Sequence, residues 1–337
     1  LAVETRRLPD RNIAMELVRV TEAAALAAAT LSGHGTHPGA DEVTVKNAAD
    51  ALAVDAMRLV LNTISMDGIV VIGEGAKDDA PMLYNGELIG DGREPKVDIA
   101  VDPIDGTTLT AKGLPGAVSV IALSERGSMF NPGELVYMDK LIVGPQGRGC
   151  VDIDRSPTEN LHRLATHMGK NVGEIGVMVL NRPRHEALIR EIREAGARLT
   201  LIQDGDVGGA ISTSWPGSGI DILFGIGGTP EGVIAAAALK GLGGEIQGRL
   251  HVRNDEERRT ALDMGLDITQ VLTTNDLVRS ESCFFAMTAI TDGDFLRGIR
   301  FHGFGATSNS LVIRSKTGTV RIIETIHRNT AQDSFVR

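Results

Sequence analysis

Apolar residues at Ile13, Leu17 and Val20 fall at helical spacing, and Asp10 stands where a cap would, so the pattern predicts a helix over 10–31. A glycine-rich loop, SGHGTHPGADE, follows. A second helix is expected over 45–62, with Asp50, Ala53, Val54, Met57 and Leu61 on one face. The period then changes. Short apolar runs predict buried strands over 69–72, in DIAVD ending at Asp102, over 117–123, and in LVYMDKLIVG. Further on, strands and helices alternate. GVMVLN, LTLIQDGD and IDILFGIGG read as strands. RHEALIREIREAG reads as a helix closed by Gly196, GGAISTSW as a short helix, and 230–240 as another. SLVIRSKTGTVRIIETI reads as a hairpin turning at 316–318. This βαβα rhythm predicts an α/β fold, divided near 144–157 into halves 1–150 and 151–337.

Composition narrows the classes. Aromatic residues make up only 3% of the 337, so the core must be mainly aliphatic. The net charge is −10 and no long basic run occurs, which excludes nucleic acid as an expected partner. An anionic substrate would need cations brought to the site. Cys150 and Cys283 lie far apart without metal or disulfide spacing, so a reducing cytoplasm is expected. The apolar stretch 23–31 is too short to span a bilayer, and Glu4, Asp10, Glu16 and Glu22 ahead of it speak against a signal peptide. Serine-nucleophile, Walker A and dinucleotide-binding motifs are absent. His34, His37, His185 and His251 have no zinc-site spacing and read as surface or loop residues.

The chemistry concentrates in carboxylates at strand ends. VDPIDGTT holds Asp102 and Asp105 close together, with Pro103 stiffening the pair and Gly106 turning the chain toward Thr107. Such crowding is costly unless a cation compensates it. Glu74 follows the strand IVVIG, where an acidic residue is also an ordinary loop feature. Asp50 sits on an apolar helix face, to be compensated by metal or by Lys46 one turn earlier. In IGGTPEG, Thr229 is placed as N-cap and Pro230 as first helical residue, so Glu231 either complements the helix dipole or ligates. Arg182 and Arg184 flank Pro183 after a strand, as phosphate contacts or a solvated helix start. Asp204 and Asp206 flank Gly205, as acceptors for sugar hydroxyls or a plain acidic turn.

KNAAD, VVIGEGAKDDAPMLYNGE, AVDPIDGTT, NRPRH, DGDV, IGGTPEG and RSKTGTVR, in this order, resemble the bacterial class II fructose-1,6-bisphosphatases, within the lithium-sensitive metal-dependent phosphatase superfamily. The likeness covers nearly the whole chain. The loop before KNAAD is longer than the family's usual Gly-Lys connection. The resemblance implies an αβαβα layered sandwich of the sugar-phosphatase kind. It implies a cytoplasmic homodimer or homotetramer serving gluconeogenesis and glycerol metabolism, with two or three Mn²⁺ or Mg²⁺ ions per site. Carried over by motif, Asp50, Glu74, Asp102, Asp105 and Glu231 are the metal ligands. Asp105, Gly106, Thr107, Tyr137, Arg182, Pro183, Arg184, Asp204, Gly205, Asp206 and Gly228 line the substrate site. Asp78, Thr107 and Lys46 stand near the reacting phosphate. The alternatives are a dual fructose/sedoheptulose bisphosphatase, an inositol-monophosphatase-like enzyme and a non-catalytic sugar-phosphate sensor.

Overall fold

The computed structural model describes residues 12–75, 82–133 and 135–328. The cap expected at Asp10 lies outside them. Helix α1 is Ala14–Ala29, its first N–H taken by the Asn12 side chain at 3.1 Å. Helix α2 is Glu42–Leu61 and starts three residues before the expected position. The reason is local: the Asp41 carboxylate accepts the N–H groups of Val43 and Thr44, an N-cap inside what reads as loop.

Strands β1 (Asp67–Ile72), β2 (Leu88–Gly90) and β3 (Lys96–Asp105) lead into the short helix α3 (Thr107–Lys112) and strand β4 (Val118–Glu125). Next come β5 (Tyr137–Val143), α4 (Pro157–Met168), β6 (Gly176–Leu180), α5 (Glu186–Glu194), β7 (Arg198–Ile202), α6 (Asp206–Ser212), β8 (Ile222–Gly228) and α7 (Thr229–Leu242). The chain closes with β9 (Glu245–Leu250), α8 (Asp255–Asp263), β10 (Leu272–Thr273), α9 (Thr274–Leu277), β11 (Phe284–Ala289), β12 (Arg300–His302), β13 (Gly305–Arg314) and β14 (Thr319–Arg328).

The strands form two mixed sheets. One runs β12-β13-β11-β4-β3-β1-β2, with β14 paired to β13; the other runs β10-β9-β5-β8-β6-β7. Sheet membership does not follow chain order: β5 joins the second sheet, and β11 to β14 return to the first. Three apolar clusters set the layers. α1 and α2 bury Leu17, Val20, Met57 and Leu61 against Ile99, Ile121 and Val312 on the outer face of the first sheet. α6 and α7 fill the space between the sheets, with Val207, Ile211, Val233 and Ile234 among Val120, Phe285, Met138 and Ile246. α4 and α5 cover the far face of the second sheet through Leu161, Leu164, Ile189 and Ile192. The expected α/β sandwich is therefore observed, in αβαβα order. α7 is enclosed by both sheets, which is why its run Val233–Leu239 is apolar and Ala-rich on every side.

Candidate active site

The acidic loop owes its geometry to a bulge. Between β3 and β4, Asp102 opposes Val120 and Asp105 opposes Val118. Three residues of one strand therefore match two of the other, and the extra residue rotates the ladder. Strand alternation alone would put Asp102 and Asp105 on opposite faces; the bulge brings both to the side facing α7. Asp102 closes its own turn, accepting the Ile104 N–H at 3.0 Å. Gly106, at φ +102°, then turns the chain into α3, whose first residue is Thr107.

Both sheets contribute to the site. The Val207 N–H at the start of α6 donates to Asp105 at 3.1 Å, and the Thr108 N–H donates to Asp204 at 3.4 Å. Arg182 donates to the other oxygen of Asp204 at 3.2 Å. Tyr137 opens β5 directly opposite Gly228 on β8. Pro183 begins a single 3-10 turn after β6 that carries Arg184, which donates twice to the Ile226 carbonyl, at 3.2 and 2.8 Å. Its guanidinium lies 5.4 Å from the Tyr137 ring centre. Asp78 lies outside the described residues.

The charge pattern shows that the carboxylates converge. Asp102 is pushed well above the ordinary carboxylate range by burial first, then by Asp105, Glu231, Glu74 and Asp50. Asp105 is raised by burial and then by Asp206, Glu231 and Asp204. Burial and the Asp50 charge raise Glu74 to about 7. Burial raises Asp50 itself, and burial with Asp206 raises Glu231. The Glu231 Oε2 atom is buried without a hydrogen-bond partner. Among the described residues, no three His, Cys, Asp or Glu side chains are drawn tightly enough to hold an ion as they stand. Asp102 thus stands against four other carboxylates, while Lys140 offsets part of the burden on Glu231.

Several local expectations need correcting. Lys46 pairs with Glu42 of its own helix at 2.8 Å, a carboxylate it shares with Lys112 of α3 at 3.4 Å, so it is not the partner proposed for Asp50. Thr229 is not the N-cap of α7; Gly228 occupies that position and Thr229 is the first helical residue, with its hydroxyl buried and unpaired. His185 is no surface residue: it is only 1% exposed.

Two cationic residues escaped the motif reading. Lys140 on β5 is buried and pairs with Asp206 at 2.7 Å. Its signal was present: Met138 and Ile142, two positions to either side, are both buried, so strand alternation turns Lys140 inward too. Arg253 lies 4.8 Å from the Tyr137 ring centre and is held by Glu257; no local pattern marks it. Lys140→Met leaves Asp206 buried without its counter-charge, a loss of about 3–5 kcal/mol. Urea unfolding is expected to show a midpoint far below that of the unaltered chain, with Lys140→Met/Asp206→Leu recovering much of it. An unchanged midpoint in the single variant would mean that the pair does not stabilise the fold.

Among the described residues, no helix is long and apolar enough to cross a membrane. Residues 11–327 match the family model described as bacterial fructose-1,6-bisphosphatase, glpX-encoded. The chain is 44% identical over 330 residues to the fructose-1,6-bisphosphatase 1 class 2 of Escherichia coli (strain K12), covering 94% of this chain and 95% of that one. The class 2 enzymes of Escherichia coli O6:H1 and Shigella flexneri match with the same identity and coverage. With an αβαβα fold, a bulged Asp-Pro-Ile-Asp-Gly-Thr loop and this coverage, the chain belongs to the bacterial class II fructose-1,6-bisphosphatase family.

Proposed function

We propose that this protein hydrolyses the C1 phosphate ester of fructose 1,6-bisphosphate, releasing fructose 6-phosphate and phosphate, with divalent cations held by Asp50, Glu74, Asp102, Asp105 and Glu231. The observation that carries this reading is the convergence of those carboxylates, each raised above its ordinary range, beside a separate arginine-bearing rim. The donor set fits the group: all are hard carboxylate oxygens, suited to Mg²⁺ or Mn²⁺, and the unpartnered Glu231 oxygen is one such donor left unmatched. Two or three such ions, when bound, supply positive charge to the phosphoryl oxygens and acidify water.

The chain's own groups provide the rest. Arg182 and Arg184 grip the distal phosphate with fixed guanidinium forks. Tyr137, Asp204 and Asp206 set the sugar, the carboxylates accepting hydrogen bonds from its hydroxyls, and Gly205 leaves room for it, while Gly228 leaves room for the Glu231 carboxylate beside it. Thr107, at the turn into α3, orients the attacking water, a role we assign also to Asp78, and Lys46 supplies positive charge against the charge that develops. In this account the half 1–150 holds most of the metal ligands and 151–337 the sugar phosphate, with Glu231 reaching across. We assign the protein to the cytoplasm as a homodimer or homotetramer.

The test is phosphate release from fructose 1,6-bisphosphate with Mg²⁺ or Mn²⁺, before and after chelation. Release is expected to fall to background in excess chelator and to return on adding back either ion. Undiminished release in chelator would refute the metal assignment. Equal rates on inositol monophosphate would refute the substrate, and binding without release would leave only a sensor. Sedoheptulose 1,7-bisphosphate belongs in the same panel.

A further inference from the structure

His185 does something that its neighbours in the motif do not. Its Nε2 accepts the Ile226 N–H at 2.8 Å, which leaves Nδ1 as the protonated nitrogen, donating to the Leu180 carbonyl at 2.7 Å. β6 and β8 pair through backbone contacts only as far as Val179 and Phe224. Beyond that point the imidazole takes the place of a rung, bridging the end of β6 to the continuing β8. The gap is built for the ring. Gly225 adopts φ +136°, a conformation L side chains rarely take, and a Cβ there would lie 3.0 Å from the His185 ring. Ile226 is thus held at both ends of its backbone: its N–H by His185 and its C=O by both donors of Arg184.

We infer that His185 is a positioning residue for substrate: by bridging Leu180 and Ile226 it fixes the carbonyl on which Arg184 is anchored, and so the arginine's aim at the distal phosphate. Only a group that donates at one end and accepts at the other can do this. Burial and the nearby Arg184 and Arg182 charges hold the ring below its ordinary pKa, which keeps it in the neutral form the bridge requires. A phenyl ring fills the same space and makes neither bond. A glutamine amide has one donor and one acceptor at its end and can make both.

The inference rests on the proposed role of Arg184, and the experiment separates the two. KM for fructose 1,6-bisphosphate, kcat, and the inhibition constant of fructose 6-phosphate are measured for Arg184→Ala, His185→Phe and His185→Gln, with melting curves as a control. His185→Phe is expected to raise KM and the inhibition constant roughly tenfold, about the value of one well-placed charged hydrogen bond. Its kcat should move much less, and His185→Gln should restore KM. If Arg184→Ala raises KM but His185→Phe does not, or if glutamine fails to rescue, His185 does not position the arginine. If Arg184→Ala leaves KM unchanged, the distal-phosphate assignment itself falls, and this inference with it. Should His185→Phe fail to fold, His185→Asn, too short to span both partners, supplies the same comparison.

Discussion

Asp102→Asn is expected to abolish metal-dependent phosphate release while making the metal-free protein harder to melt. The two effects have one cause. Asp102 sits at the centre of the carboxylate group and is raised by burial and by four other acids. A carboxyl whose folded pKa lies above its unfolded value of 3.8 stabilises the fold only while protonated. That stability is complete below 3.8 and is lost as pH rises through the folded pKa. Above the ordinary carboxylate range the ion-free fold therefore bears a cost at Asp102, as a buried charge or as a proton taken up on folding, and a bound cation relieves it. Asparagine keeps the oxygen that accepts the Ile104 N–H and removes the charge. In chelator at pH 8 its melting temperature should exceed that of the unaltered chain by about 2 °C or more, and the difference should shrink toward pH 4. Activity with Mn²⁺ should fall by about 10²–10³-fold, the scale for losing one preorganised charge-stabilising group. Differential scanning calorimetry and phosphate release read the two halves separately. Normal metal-dependent turnover, or a lower melting temperature at pH 8 in chelator, would each contradict this account.

Gly228→Ala is expected to remove activity without unfolding the protein. Gly228 has φ −67° and ψ 137°, which any residue adopts, so alanine does not strain the backbone. The obstacle is ahead of it. A Cβ at this position would stand 1.6 Å from Glu231 Oε2 and 2.4 Å from its carboxyl carbon. Those atoms end a flexible side chain, so the side chain moves and the backbone does not. The alanine would therefore evict the Glu231 carboxylate from the shared space while α7 stays packed between the sheets. Melting should change by no more than a few degrees, while phosphate release should fall by about 10²-fold. The double variant Gly228→Ala/Glu231→Ala should be little worse than either single one, because both remove the same group. Losses that simply add would show that Gly228 acts through something else, such as direct contact with the sugar.

Gly228 also illustrates how far a local motif can be read. IGGTPEG announces a helix start with glycines before it, and the helix is there. That a glycine was needed because a carboxylate folds back over it depends on the side-chain path of a residue in the following turn, and no local rule states that. α4 shows the opposite case: Ser156, Pro157 and Glu159 spell a capping box in the sequence, and the structure forms it with both reciprocal hydrogen bonds. That helix is fully encoded by local chemistry, apart from any acidic or glycine motif of the candidate site.

The sequence by itself determined what short-range chemistry controls. Helical and strand periods place α2, β1, β4, α5, α7 and the β13–β14 hairpin. Order and spacing of the motifs name the family, because most of the candidate site residues lie within a few positions of a glycine or proline, as in DPIDGT, NRPRH, DGD and GGTPEG. The tertiary structure decided what depends on a neighbour far along the chain. The bulge that turns Asp102 and Asp105 to one side exists only against β4. Lys140 becomes the counter-charge of Asp206 only because β5 leaves the first sheet for the second. His185 becomes a buried bridge only where β6 and β8 stop pairing. A side chain's charge state and role follow from what encloses it, and here the enclosing residues come from strands that sequence order does not make adjacent.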